Sequence, residues 1–138
     1  MAEVRFKGID GVGGEFIPQI RQLSPASLAY VGDAIYELYV RTYYLLPPKR
    51  ISDYHERVVA QVRAETQAAH LKSLLTYLDE SEREIVRKGR NAATGGRRGL
   101  SKAIYQQATS LETLLGYLYL KNPDRLSQLL EKLELEPD

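Results

Sequence analysis

The chain has 138 residues, a formal net charge of +1, 43% hydrophobic residues and 27% charged residues. That balance fits one soluble globular domain, long enough to bury a core and too short for a catalytic domain with a separate binding domain. The absence of cysteine excludes disulfides and thiolate metal sites, and two isolated histidines, His55 and His70, make a histidine-based zinc site a poor fit. Any metal is then expected on oxygen ligands, the chemistry of magnesium.

In chain order, the glycine-rich stretch FKGIDGVGGEF and Pro18 predict an irregular N-terminal arm over residues 1–22. Charges at Glu3, Arg5, Lys7 and Asp10 without an apolar run are unlike a secretory signal, so a cytoplasmic protein is expected. Ser24 followed by Pro25 is a helix N-cap with proline at the first helical position. Good helix formers run on to about Leu46, where Pro47 and Pro48 end the helix. Asp33, Glu37 and Arg41 interrupt this apolar stretch and mark a buried core helix rather than a membrane span.

A second helical stretch is predicted from Ile51 or Ser52 to Glu65, continuing after a bend through Leu75 to Leu78. Ser81 and Glu84 have the spacing of a capping box for a short helix, Glu82 to Lys88, that stops at Gly89. RNAATGGRRGL, from Arg90 to Leu100, reads as a flexible loop. Another apolar helix follows from Leu100 or Ala103 to about Leu120, then an amphipathic one from Pro123 to Leu133, then an acidic tail over residues 134–138. No run alternates with period two, so residues 23–133 are expected to form one all-α domain.

The small net charge hides an asymmetry. Arg83, Arg87, Lys88, Arg90, Arg97, Arg98 and Lys102 face a single acid, Glu84, in the same segment. A basic segment on a nearly neutral protein is an electrostatic footprint for one surface, and fits a phosphate backbone. The many tyrosines do not add base stacking to this reading. Tyr36, Tyr39, Tyr43, Tyr117 and Tyr119 sit on apolar helices, where core or interface roles are the simpler account.

An acid stands inside each of the two most apolar helices. Ala26, Ala29 and Gly32 surround Asp33, and Ala108 and Gly116 lie one turn to either side of Glu112, so both acids have small neighbours that leave room around the carboxylate. A buried, unpaired carboxylate costs several kcal/mol, so a cation must compensate each one. Residue pattern alone leaves two answers open: an ion-pair network involving Glu37 and Arg41, or two carboxylates from two helices converging on a divalent metal.

The segment LAYVGDAIYELYVR, Leu28 to Arg41, resembles the signature helix of the ribonuclease III catalytic-domain family, with Tyr30, Val31, Gly32, Asp33 and Ala34 matching its hallmark. SLETLLGYLYL, Ser110 to Leu120, resembles the family's second signature helix through Glu112, Leu114, Leu115 and Gly116. RKGRNAATG, Arg87 to Gly95, is similar to a basic loop of the short bacterial subgroup that has no double-stranded-RNA-binding domain. Ala26, Ala29 and Thr109 stand where longer members carry further acids, so the resemblance implies a site of two carboxylates.

That resemblance implies a helical homodimer with Tyr30 at the dimer interface and a metal-dependent endoribonuclease acting on double-stranded RNA. Asp33 and Glu112 would be both catalytic and metal-binding residues, taking Mg2+ with Mn2+ as a possible substitute. Arg87, Lys88, Arg90, Asn91, Arg97, Arg98 and Lys102 would contact RNA, reading its shape along phosphates and 2′-hydroxyls. The subgroup further implies precursors of large, 23S-type ribosomal RNA as the target. The rival readings are a non-catalytic RNA-binding or ribosome-assembly protein of the same fold and a helical hydrolase of free nucleotides.

Overall fold

Ser24 and Pro25 begin the first helix as expected. The Ser24 hydroxyl accepts from the Ser27 amide at 3.1 Å, and proline occupies a first-turn position that needs no donor. In the computed structural model, which describes residues 20, 22–93 and 101–138, this helix, α1, runs Pro25–Tyr43. It is followed by α2 (Ile51–Gln61), α3 (Ala64–Leu74) with a 3-10 turn at Leu75–Tyr77, α4 (Glu80–Ala92), α5 (Lys102–Lys121) and α6 (Pro123–Glu131). Among the described residues there is no strand, in agreement with the all-α expectation. The predicted arm lies almost wholly outside the described residues.

The first helix ends at Tyr43, short of the expected Leu46, and two later stretches also differ from the sequence expectation, each for a physical reason. The second stretch is two helices, because Arg63 is extended (φ −66°, ψ 151°) and caps α3, turning the chain at Val62 and Arg63. The next helix starts earlier and ends later than predicted. Its capping box is Asp79 with Glu82, not Ser81 with Glu84: Asp79 Oδ1 accepts from the Glu82 amide at 2.8 Å and Glu82 Oε1 from the Asp79 amide at 2.9 Å. The bond from the Glu82 amide holds the Asp79 carboxyl below its ordinary range. Gly89 is not a stop signal but a packing residue inside α4. A Cβ there would meet Thr113 Oγ1 at 2.6 Å, so glycine lets α4 lie closely on α5.

Central helix α5 packs on α1, α3, α4 and α6. Its Leu111, Leu114 and Leu115 are fully buried and share one core with Tyr36 and Val40 of α1, Leu74 of α3, and Leu126, Leu129 and Leu130 of α6. Each such leucine contributes about 1.5–3 kcal/mol by leaving water. The buried hydroxyls of Ser110 and Thr113 are satisfied within α5, donating to the carbonyls of Gln106 and Thr109 at 2.7 Å. Tyr36 is held by its hydroxyl, 2.9 Å from His70 Nδ1 and 3.1 Å from the Gln61 carbonyl oxygen. His70 is thus a buried, partnered histidine, while His55 is exposed on α2.

A pair distant in sequence ties α6 to α4. Arg125 donates to both oxygens of Glu82 at 2.8 and 2.9 Å, and Glu82 is only 3% exposed. The acidic C-terminal segment is docked on the fold. Leu133 and Leu135 are buried, the Tyr44 hydroxyl donates to the Glu136 carbonyl at 2.6 Å, and Arg57 pairs with Glu136 at 3.5 Å and with Asp138 at 3.6 Å.

Candidate active site

The site is made where α1 crosses α5, and two glycines set the crossing. A Cβ on Gly32 would fall 1.7 Å from the carbonyl oxygen of Glu112, and one on Gly116 would fall 1.9 Å from the carbonyl oxygen of Leu28. Only glycine permits helices to touch backbone to backbone in this way. Asp33, the residue after Gly32, is therefore held at the same crossing as Glu112. The small residues around the acids were expected to make room for the carboxylates. For the two glycines the structure assigns a different task, bringing the two helices together.

Asp33 and Glu112 line one groove of about 650 Å³. One wall comes from α1 and α5, where Ala26, Ala29, Ala108 and Thr109 surround the two acids; the other is the α2–α3 corner, from Val62 to Glu65 with Gln67. Tyr30 and Tyr105 also line it. Asp33 is exposed and Glu112 half-buried, so the desolvation penalty expected for buried carboxylates does not arise in full. The ion-pair alternative fails for Asp33 among the described residues: Arg41 is taken by Glu37 at 2.7 Å, and no cation pairs with Asp33.

The lining offers oxygen donors and no histidine. Among the described residues no group of three acidic or histidine side chains could hold an ion by itself. The donor chemistry therefore fits a hard cation bound by two carboxylates that keeps much of its water, as magnesium does.

Of the predicted RNA-contacting residues, Arg87, Lys88, Arg90 and Asn91 are exposed on the last turns of α4, and Lys102 is exposed at the start of α5. Arg90 and Asn91 were expected in a loop and instead are helical, because α4 continues to Ala92. Arg97 and Arg98 lie outside the described residues. None of the described set lines the groove. Arg87 is already engaged by Glu84, with Nε 3.0 Å from Oε2, a contact that holds the Glu84 carboxyl below its ordinary range. Tyr30, at the rim of the groove, is 83% exposed, and Leu38, two turns further along α1, is 52% exposed.

Sequence reasoning missed the second wall. Arg63, Glu65 and Gln67 face the groove from a corner between helices, and no period or motif marks a corner residue as part of a site.

Comparison with known proteins places these features in context. A Ribonuclease III domain family model matches residues 26–123. The Mini-ribonuclease 3 of Synechocystis sp. is 58% identical over 121 residues, covering 88% of this chain and 84% of the relative. That of Thermosynechococcus vestitus is 51% identical over 126 residues, covering 87% and 83%. A crystal structure of a Fusobacterium nucleatum protein superimposes with a TM-score of 0.74 at 33% identity, covering 82% of this chain and 93% of that one.

Proposed function

The chain belongs to the ribonuclease III family, and on that premise we propose that one Asp33–Glu112 pair per protomer cuts each strand of a duplex RNA. It is an endoribonuclease of double-stranded RNA. The observation that carries the site assignment is the meeting of both carboxylates on one groove at the α1–α5 crossing.

Asp33 and Glu112 would hold Mg2+, with Mn2+ as a substitute and water completing the shell. Bound there, the ion supplies Lewis-acid activation of a water and neutralises charge developing on the phosphodiester. The chain's own contribution is placement. Gly32 and Gly116 keep the two carboxylates on one crossing, and Ala26, Ala29 and Ala108 line the groove with small side chains beside them. Hydrolysis would leave 5′-phosphate and 3′-hydroxyl ends.

Arg87, Lys88, Arg90, Asn91 and Lys102, with Arg97 and Arg98, would track phosphates outside the groove, giving recognition by duplex shape. A homodimer with Tyr30 of α1 at its interface would supply two sites and a staggered double cut. Its target would be precursors of large, 23S-type ribosomal RNA in the cytoplasm. No helix among the described residues is long and apolar enough to cross a membrane.

Asp33→Asn and Glu112→Gln test the assignment. Each is expected to lower magnesium-dependent cleavage of a duplex by about 1,000-fold or more, equivalent to several kcal/mol of transition-state stabilisation. Duplex binding in a gel shift and the helical spectrum should persist. Cutting at the normal rate by either variant would sink the two-carboxylate site. Mapping 5′ ends in total RNA treated with the active protein and with Asp33→Asn tests the ribosomal target.

A further inference from the structure

Almost every guanidinium among the described residues is already committed. Arg41, Arg50, Arg57, Arg87 and Arg125 pair with carboxylates, and Arg83 donates to the carbonyls of Leu75 and Leu78 at 2.7 and 3.2 Å. Within that set Arg63 and Arg90 have no side-chain partner. Arg90 belongs to the basic end of α4. Arg63 is exposed on the α2–α3 wall of the groove that Asp33 and Glu112 line from the other side.

The backbone of Arg63 is fixed even though its side chain is not. It is the extended residue that caps α3, and its carbonyl accepts from the Gln67 amide at 3.0 Å. The side chain therefore starts from a backbone position held at the corner of the groove. On the α2–α3 side of the groove, a strand lying along it passes the Arg63 guanidinium, the cation among the described lining residues. Its planar fork also matches two phosphate oxygens, which a lysine would meet only as a point charge.

We propose that Arg63 contacts a phosphate of the strand cut at Asp33 and Glu112, and so positions that strand across the groove. The proposal rests on the active-site reading above. It adds a contact inside the groove to the basic surface around α4.

The test uses the full chain, duplex RNA, and the variants Arg63→Gln and Arg63→Lys. Arg63→Gln is expected to lower kcat/KM about 10- to 100-fold, the loss of one charge-assisted contact. It should also reduce the slope of log kcat/KM against log salt concentration by about one, the signature of one lost phosphate contact. Arg63→Lys should recover the slope and part of the rate, with thermal melting unchanged in both. A scan of single neutral methylphosphonates along the cut strand should find one position that impairs the wild type and Arg63→Lys but costs Arg63→Gln nothing further. A wild-type salt slope and a wild-type methylphosphonate profile in Arg63→Gln would overturn the proposal. If Asp33→Asn is inactive in the same assay, only the Arg63 contact fails; if Asp33→Asn is active, the active-site reading itself has failed.

Discussion

Replacing Gly32 with alanine adds one carbon atom at the place where the molecule has least room. The new Cβ would lie 1.7 Å from the Glu112 carbonyl oxygen, 2.6 Å from its carbon and 2.9 Å from its Cα, whereas ordinary contact begins at 3.4 Å. All three atoms are backbone, so no side chain can rotate aside, and α1 and α5 must separate by more than an ångström. Alanine gains about 1 kcal/mol of helix propensity over glycine. Against it stands an overpacking cost of about 1–3 kcal/mol or more, here at the upper end because the whole interface with α5 must shift. A net loss of about 2–3 kcal/mol corresponds to a fall of roughly 7–10 °C in Tm for a chain of this size.

The functional loss should exceed the stability loss, because a shift of about 1 Å in reacting groups costs on the order of 100-fold in rate. The assay pairs thermal melting at fixed protein concentration with duplex cleavage well below the lowered Tm. Two further glycines give an internal ranking. Gly116→Ala, whose Cβ would meet the Leu28 carbonyl oxygen at 1.9 Å, should behave like Gly32→Ala, while Gly89→Ala, whose Cβ would meet the Thr113 side chain at 2.6 and 2.8 Å, has the longer contacts to relieve and should cost less. A Gly32→Ala protein with unchanged Tm and cleavage, or a costlier Gly89→Ala, would refute the claim that glycine contacts set the crossing.

Arg125→Met should destabilise by about 3 kcal/mol, since it strands the Glu82 carboxylate, 3% exposed, without its bidentate partner; urea unfolding measures it, and a loss below 1 kcal/mol would contradict a structural role. Burial holds His70 below its ordinary value of 6.5, so its contribution to stability is complete above pH 6.5 and is lost as pH falls through the lowered folded value. Unfolding free energies between pH 7.5 and 5 should therefore fall more steeply for the wild type than for His70→Gln, and parallel curves would exclude the effect. Tyr30→Ala removes the most exposed large side chain of α1 and should weaken self-association; sedimentation showing an unchanged oligomer would remove Tyr30 from the proposed interface.

The two acids were legible in the sequence because their surroundings are local. Asp33 and Glu112 stand out against apolar helices whose period places small residues beside them, and the caps at Ser24 and Pro25 depend only on near neighbours. Gly89 misled the same reasoning, since a glycine that ends a helix and a glycine that admits a neighbouring helix look alike along the chain. The capping box was misplaced for a similar reason: Asp79 with Glu82 and Ser81 with Glu84 have equal spacing, and burial of Glu82 against Arg125 favours the first.

By itself, then, the sequence determined the helices, their all-α assembly and the two acids that mark the candidate site, all set by side chains within one or two turns. Only the tertiary structure decided how closely α1 and α5 approach, and that Arg63, Glu65 and Gln67 form the facing wall. The reason is geometric. A crossing distance is fixed where two backbones meet, and a groove belongs to helices far apart in the chain, which no local pattern records.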